Sequence, residues 1–334
     1  MPRGDRRLQP ETAHYDGKRF FNPGAAPAQP VWMVPRLLLA RRARWPDHVP
    51  VAQRVPQRRS ARDEVVVTFV GHATFLLQTA AGNVLIDPVY SLRASPVPFA
   101  GPRRARLPGV KFADLPEIHF VLISHNHYDH CDLHTIRALE QRFHPRFVTA
   151  LGNAALLNAG GAARVEELDW WQEAGTAKPL VVQLTPAQHF SARGVLDRDR
   201  ALWGGFLISV ADIQIFFAGD SGYGPHFVEI RERSRPIDLA LLPIGAYEPR
   251  WFMRPIHMNP AEAVQAHVDL GARQSLGMHF GTFQLTPEAI DAPERALARA
   301  MSARGIRAVD FRTPEVGESL RVVSRAGGGS TDSA

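Results

Sequence analysis

Apolar positions follow two rhythms along this chain. In "VVVTFVGHATFLLQT" (65–79) and "NVLIDP" (83–88), β-branched and large apolar residues form runs separated by turn signals such as Ala-Gly-Asn, which predicts consecutive strands. "HFVLIS" (119–124) reads as a buried strand, and "LHTIRALEQRF" (133–143) after it has helical spacing. Further strands are predicted at 146–150, 180–185, 205–209, 212–218, 238–242 and 275–278. Two helix starts carry explicit signals. "NPAEAVQAHVDLG" (259–271) opens with Asn as cap, Pro in the first turn and Glu three after the cap, and stops at Gly. "TPEAIDAPERALARAM" (286–301) opens the same way. Many neighbouring strands are joined by tight turns. The pattern therefore predicts an α/β (α+β) protein of mixed or antiparallel sheets covered by helices, not a doubly wound parallel sheet.

Residues 1–60 break this rhythm: they are rich in Pro and Arg and show little periodicity. They are expected to form a partly irregular arm, with the globular domain over 61–325 and a flexible tail at 326–334. Within the arm, "VWMVPRLLLARRARW" (31–45) joins a short apolar stretch to an Arg cluster. It reads either as a membrane-surface helix interrupted by Pro35 or as a strap packing on the domain. "ASPVPFAGPRRARLPGV" (94–110) is a long Pro/Gly-rich loop carrying Arg103, Arg104 and Arg106, by default solvated, with an anionic headgroup as the alternative partner.

Composition narrows the class. A chain of 334 residues, 45% apolar and 22% charged, is ordinary for a soluble globular protein. No apolar run approaches the roughly 20 residues that span a bilayer, and the polar start, "MPRGDRRLQPETAHYDGKRF", has no signal-peptide core. The expected location is cytoplasmic, with peripheral membrane contact possible through the arm. The single cysteine, Cys131, excludes an intrachain disulfide and a Cys-rich zinc site. It is either a small turn residue or a thiolate ligand. The net charge of +6 favours anionic partners. No nucleic-acid partner is expected, because the basic residues form no aromatic-interleaved stripe.

The chemistry concentrates in "VLISHNHYDHCDLH" (121–134), where His125, His127, Asp129 and His130 fall within six positions. Imidazoliums this close would repel, so neutral rings facing a shared cation explain the cluster better. Alternate residues of an extended segment point the same way, so His125 and His127 can converge on one cation while Asp129 and His130 face a second. A zinc ion takes about four ligands at roughly 2.0–2.2 Å, so further ligands are required. Three candidates each follow an apolar strand: His189 in "LTPAQHF", Asp220 in "IFFAGDSGY" and His279 in "SLGMHFGTF". Asp220 is the natural bridge, since a carboxylate can serve two cations.

"SHNHYDH" resembles the signature of the metallo-β-lactamase superfamily, which implies a four-layer αββα sandwich. "GHATFLLQ", "IDPVYSLRASP", "ELDWWQE", "TPAQHF", "FFAGDSGY", "PIGAYEPRWFM" and "MHFGTF" extend the resemblance to the N-acyl-phosphatidylethanolamine-hydrolysing phospholipase D family and its bacterial relatives, over about residues 19–325. The resemblance implies two zinc ions, with iron or manganese as alternatives. His125, His127 and His189 would hold one, Asp129, His130 and His279 the other, and Asp220 would bridge.

It further implies phosphodiester hydrolysis on a phospholipid, water attacking phosphorus, with Asp129 and Asp220 handling the water's proton and His257 near the phosphate or leaving group. His72 and Asp87 are expected to support ligand loops, and Trp251 and Phe252 to offer surface for acyl chains, while His267 is structural. Phe190 and Phe280 stand where family members often carry Trp, which bears on acyl-chain preference. A lactonase or ester hydrolase on the same scaffold is the alternative reading. A homodimer is possible, since some relatives act as dimers.

Overall fold

The computed structural model describes residues 13–33, 35–36, 39, 41–57, 63–175, 179–194 and 196–324. The tail predicted at 326–334 lies outside the described residues. The first sheet begins with β1 (Glu64–Gly71), β2 (Thr74–Thr79), β3 (Gly82–Ile86), β4 (Phe120–Ile123), β5 (Arg146–Ala150) and β6 (Val165–Leu168). The second holds β7 (Leu180–Thr185), β8 (Gly205–Val210), β9 (Ile213–Phe217), β10 (Leu239–Pro243), β11 (Gln274–Met278) and β12 (Phe311–Arg312). A last strand, β13 (Ser319–Val323), returns antiparallel beside β1. Both sheets are mixed. β1 to β3 are antiparallel and β3 to β6 parallel; β7 to β9 are antiparallel and β9 to β12 parallel.

Strand alternation explains how the layers form. Val84 and Ile86 join Phe75 and Leu77 in the core between the sheets, where the Phe75 and Phe217 rings meet at 6.4 Å. Leu76 and Leu85 point the other way, onto Ile136 and Leu139 of α1 (Leu133–Phe143) and Leu157 of α2 (Ala154–Ala159). Each such side chain withdrawn from water contributes about 1.5–3 kcal/mol. The second sheet is covered by α3 (His226–Arg233), α5 (Pro260–Leu270) and α6 (Ala292–Ala303), with the short α4 (Arg250–Met253) at its edge. Helices therefore flank two stacked sheets, the αββα arrangement. No helix among the described residues is long and apolar enough to cross a membrane.

Several expectations need correction. The run 65–79 is two strands, because Gly71 and His72 both take positive φ (134° and 57°) and turn the chain. The helix expected over 286–301 starts only at Ala292. Pro293 has no N–H and its ring would collide with the carbonyl four residues back, so it fits only in a first turn. Of the three arginines in 94–110, Arg103 is exposed as expected, but Arg104 and Arg106 are not simply solvated. Arg104 is 6% exposed and donates to the carbonyls of Val89 (2.7 Å) and Ser91 (2.9 Å), while Arg106 donates to Gly281 O.

The described part of the arm is irregular yet fastened to the domain. Ala43 N donates to Pro287 O, Val49 N to Ala105 O and Arg54 N to Gly109 O. The indole of Trp45 donates to Glu288 O. Among the described residues of 31–45, Val31–Met33 form a 3₁₀ turn; residues 34, 37, 38 and 40 of this stretch lie outside the described residues. Met33 packs against Phe252 and Ile256, whereas Trp32 and Leu39 are exposed.

Candidate metal centre

Parallel strands carry their C-terminal ends to one edge, and the polar residues that follow them meet there. Asp87 follows β3, His125 to His130 follow β4, His189 follows β7, Asp220 follows β9 and His279 follows β11. All seven ligands expected from the sequence, with His257, converge on one buried cluster. His127, half-buried, is its most accessible imidazole.

Hydrogen bonds behind the rings fix which nitrogen faces inward. His189 Nδ1 lies 2.9 Å from Ile256 O, a carbonyl that can only accept, so this nitrogen carries the proton and Nε2 presents a lone pair. Ser124 Oγ donates to Asp87 Oδ2 (2.6 Å), leaving His125 Nδ1 to donate to that hydroxyl at 2.9 Å. His130 Nδ1 reaches Asp87 Oδ2 at 2.7 Å. His125 and His189 thus turn an Nε2 lone pair into the cluster, and His130 aims its Nε2 there too, the anchoring by carboxylate and carbonyl that metal ligands show.

The donor atoms fall into two sets. His125 Nε2 lies 2.8 Å from His127 Nδ1, and His189 Nε2 lies 3.2 Å from the same atom. Asp220 Oδ2 completes this set at 3.9 Å from His125 and 3.8 Å from His189. In the second set, His279 Nε2 is 3.2 Å from Asp129 Oδ2 and 3.1 Å from Asp220 Oδ2. His130 Nε2 is 3.6 Å and 3.1 Å from the same two oxygens. Donors about 2.1 Å from a tetrahedral cation stand about 3.4 Å apart, and both sets scatter around that spacing. Asp220 Oδ2 belongs to both. Asp220 Oδ1 and His130 Nε2 are buried without a hydrogen-bond partner, as expected of atoms shaped for an ion.

Electrostatics agree with this reading. Burial holds His125 well below the usual imidazole range, His127 down to about 4 and His189 down to about 3, so these rings are neutral at pH 7, as metal ligands must be. Burial would also lower His130, yet Asp220, Asp129 and Asp87 around it raise it well above its usual value. Burial disfavours charge on Asp129 and Asp220, but His130 foremost among the neighbouring rings holds both carboxyls well below their ordinary range. No lysine or arginine is paired with either carboxylate among the described residues. Two buried anions ringed by histidines call for cations.

The supporting residues take distinct places. His72, in its positive-φ turn, sets Nε2 3.0 Å from Asp129 Oδ2 and its ring 4.2 Å from that of His279. Asp87 ties the two halves together through Ser124 and His130. His257 is buried, with Nε2 3.7 Å from Asp220 Oδ2 and its ring 5.1 Å from His189. Cys131 is packed in the apolar layer under α1, its thiol pushed up by burial to about 12, and belongs to neither donor set. His267 bonds Ser275 Oγ at 2.8 Å, away from the site. Sequence reading missed Ser124, although it directly precedes the cluster, and Arg193, whose guanidinium donates to Asn126 O and Cys131 O.

Comparisons place the chain among known proteins. Residues 82–280 match the model of the β-lactamase superfamily domain. N-acyl-phosphatidylethanolamine-hydrolysing phospholipase D 1 of Caenorhabditis elegans is 37% identical over 263 residues, 75% of this chain and 74% of that one. The mitochondrial protein of the same description in Saccharomyces cerevisiae is 32% identical over 281 residues, 81% of this chain but only 58% of its own length. Among solved structures, Igni18, a metallo hydrolase of the archaeon Ignicoccus hospitalis, superposes with a TM-score of 0.58 at 21% identity, over 77% of this chain and 98% of that one. The chain belongs to the β-lactamase superfamily and is a metal-dependent hydrolase of that fold.

Proposed function

We propose that the chain is a dinuclear-zinc phosphodiesterase that hydrolyses a phospholipid such as N-acyl-phosphatidylethanolamine to an N-acylethanolamine and phosphatidic acid. The observation that carries the metal half of this reading is the pair of donor sets sharing Asp220 Oδ2. His125, His127 and His189 would hold one ion, Asp129, His130 and His279 the other, with Asp220 between them. Five histidines and two carboxylates suit zinc, and iron or manganese accept the same donors. The substrate half rests on the relatives in worm and yeast, whose names carry that activity.

Two divalent ions so held supply Lewis acidity towards a phosphoryl group and acidify water. The protein's own contribution is placement and proton handling. Asp129 and Asp220 present carboxylate oxygens where the attacking water must lose a proton. As the bond from water oxygen to phosphorus forms, the bond to the ethanolamine oxygen breaks, and that oxygen takes up a proton. His257, kept neutral by burial and carrying an unpartnered Nδ1, is the residue to relay it.

The test pairs two substrates on zinc-loaded protein, N-acyl-phosphatidylethanolamine in mixed micelles and a small chromogenic phosphodiester, each beside Asp220→Asn. Lipid cleavage lost in the variant, with metal content falling from two per chain, supports the whole reading. Activity on the small diester alone removes the lipid. If neither is cleaved by protein holding two zincs, the phosphodiesterase reading fails and lactones and carboxylic esters become the substrates to try.

A further inference from the structure

The N-terminal arm reaches the metal centre itself. The Asn22 side-chain amide donates to the backbone carbonyl of His189 at 2.7 Å and accepts from the indole of Trp203 at 3.1 Å. Two residues earlier, Phe20 is buried in the main core and its N–H donates to Asp199 O. Between these anchors and the domain runs a groove of about 760 Å³ that includes His189. Phe21 and Ala28 of the arm form one side, and Phe190, Phe252 and Ile256 the other. The Phe190 ring lies 4.5 Å from the ring of His127, and the Arg198 guanidinium lies 4.7 Å over the same Phe190 ring, with Arg19 also in the lining.

A second pocket of about 750 Å³ lies on the opposite side of the arm, against Trp170, Trp171 and Tyr223. Asn22 and Ala25 line both spaces, Ala28 only the first and Ala26 only the second. None of the seven metal donors lines the second pocket. Of these two spaces, the first alone includes a metal donor, so it is the one that a chain joined to a phosphate at the metal centre can enter.

We infer that arm residues 19–22 and 27–30 are a wall of the substrate site, and that the groove they close seats the apolar chain of a phosphate-bearing amphiphile. The inference rests on the proposed function for the phosphate end of the ligand. The lining is apolar along the chain's path, as ligand pockets of this size are. The two guanidinium groups, opposed by the one carboxylate of Asp199, disfavour a cationic amphiphile. Asn22 is a positioning residue: it ties this wall to the backbone of a metal ligand.

The test is calorimetric titration of the metal-loaded protein with dodecylphosphocholine below its micelle concentration. Wild type should bind saturably. Ala28→Trp fills the groove and Phe21→Glu places a carboxylate in its wall, so both should weaken binding at least tenfold. Ala26→Trp, which faces the second pocket, should stay within twofold. Phe21 is 41% exposed, so that variant keeps the test decisive where Ala28→Trp fails to fold. Loss of binding in Ala26→Trp with the other two unchanged would move the chain to the second pocket and overturn the inference, as would no binding by wild type. Binding in the groove without cleavage of any phosphodiester would end the phosphodiesterase reading and leave the groove standing. Cleavage of the lipid with unchanged binding in Phe21→Glu and Ala28→Trp would do the reverse.

Discussion

Nδ1 of His130 lies 2.7 Å from Oδ2 of Asp87, a carboxylate with no exposed surface. Oδ1 of the same carboxylate accepts from Ser124 N at 2.8 Å, and Ser124 Oγ links Oδ2 to His125. One side chain thereby orients a ligand of each donor set, one directly and one through a hydroxyl. Both rings depend on it for their tautomer.

Asp87→Asn should therefore weaken metal binding about 10–100-fold. With the amide nitrogen at the Oδ2 position, Ser124 Oγ and His130 Nδ1 both lose their acceptor and both rings are freed; at the Oδ1 position, the Ser124 N–H loses its acceptor and the loop that carries His125 loosens. Competition with a chromogenic chelator measures this without reference to activity. Unchanged affinity for both ions would show that packing alone holds the rings.

Gly219→Ala should destabilise the protein and lower its metal content. Gly219 has φ +61°, and a Cβ there would lie 2.6 Å from Gly204 O and 3.3 Å from the Ser124 Cβ. A left-handed conformation in a non-glycine residue costs about 1–3 kcal/mol, and the clash pushes Asp220 away from the β4 loop. Urea unfolding and metal analysis should move together. A variant of wild-type stability that retains two ions would contradict the argument.

Arg104→Lys tests the loop clamp. Burial lowers the Arg104 guanidinium to about 10, and no carboxylate pairs with it directly among the described residues; carbonyls take its N–H groups instead. A lysine ammonium is a point donor and cannot span the carbonyls of Val89 and Ser91 as the planar fork does. The loss should be roughly 1.5–3 kcal/mol, the worth of one hydrogen bond to a charged group, read from chemical denaturation.

What the sequence disclosed and what it concealed divide by distance along the chain. α5 was legible because its signals are local: Asn259 accepts from Glu262 N, Glu262 returns the bond to Asn259 N, and Gly271 closes the helix at φ 59°. The His/Asp cluster was legible because four of its members sit in one turn and the other three each follow an apolar strand. The turn at His72 carried no Pro or Asn to announce it and is set by the pairing of β1 with β2. The contact of Asn22 with His189 spans 167 positions, and nothing around Asn22 distinguishes it from other arm residues. Arg104 looked like surface charge because the carbonyls that receive it converge only after the loop folds.

The buried His226 gives the last prediction. Its Nε2 lies 3.0 Å from Ser221 Oγ, next to Asp220, and burial pushes its pKa down to about 3. In the unfolded chain the ring takes a proton below about 6.5. The folded state refuses that proton until near pH 3, so the unfolded state binds more protons throughout the interval. His226 therefore leaves stability whole above about pH 6.5 and erodes it as the pH falls, by about 1.4 kcal/mol per unit, until the folded value is reached. His226→Gln removes this one titration. Between pH 7 and 5 the stability difference between wild type and the variant should shrink by about 2 kcal/mol. Urea unfolding of both proteins with the metals removed, at the two pH values, measures it. Parallel losses in the two proteins would mean that the ring takes its proton in the fold as readily as in the unfolded chain, and would contradict the argument.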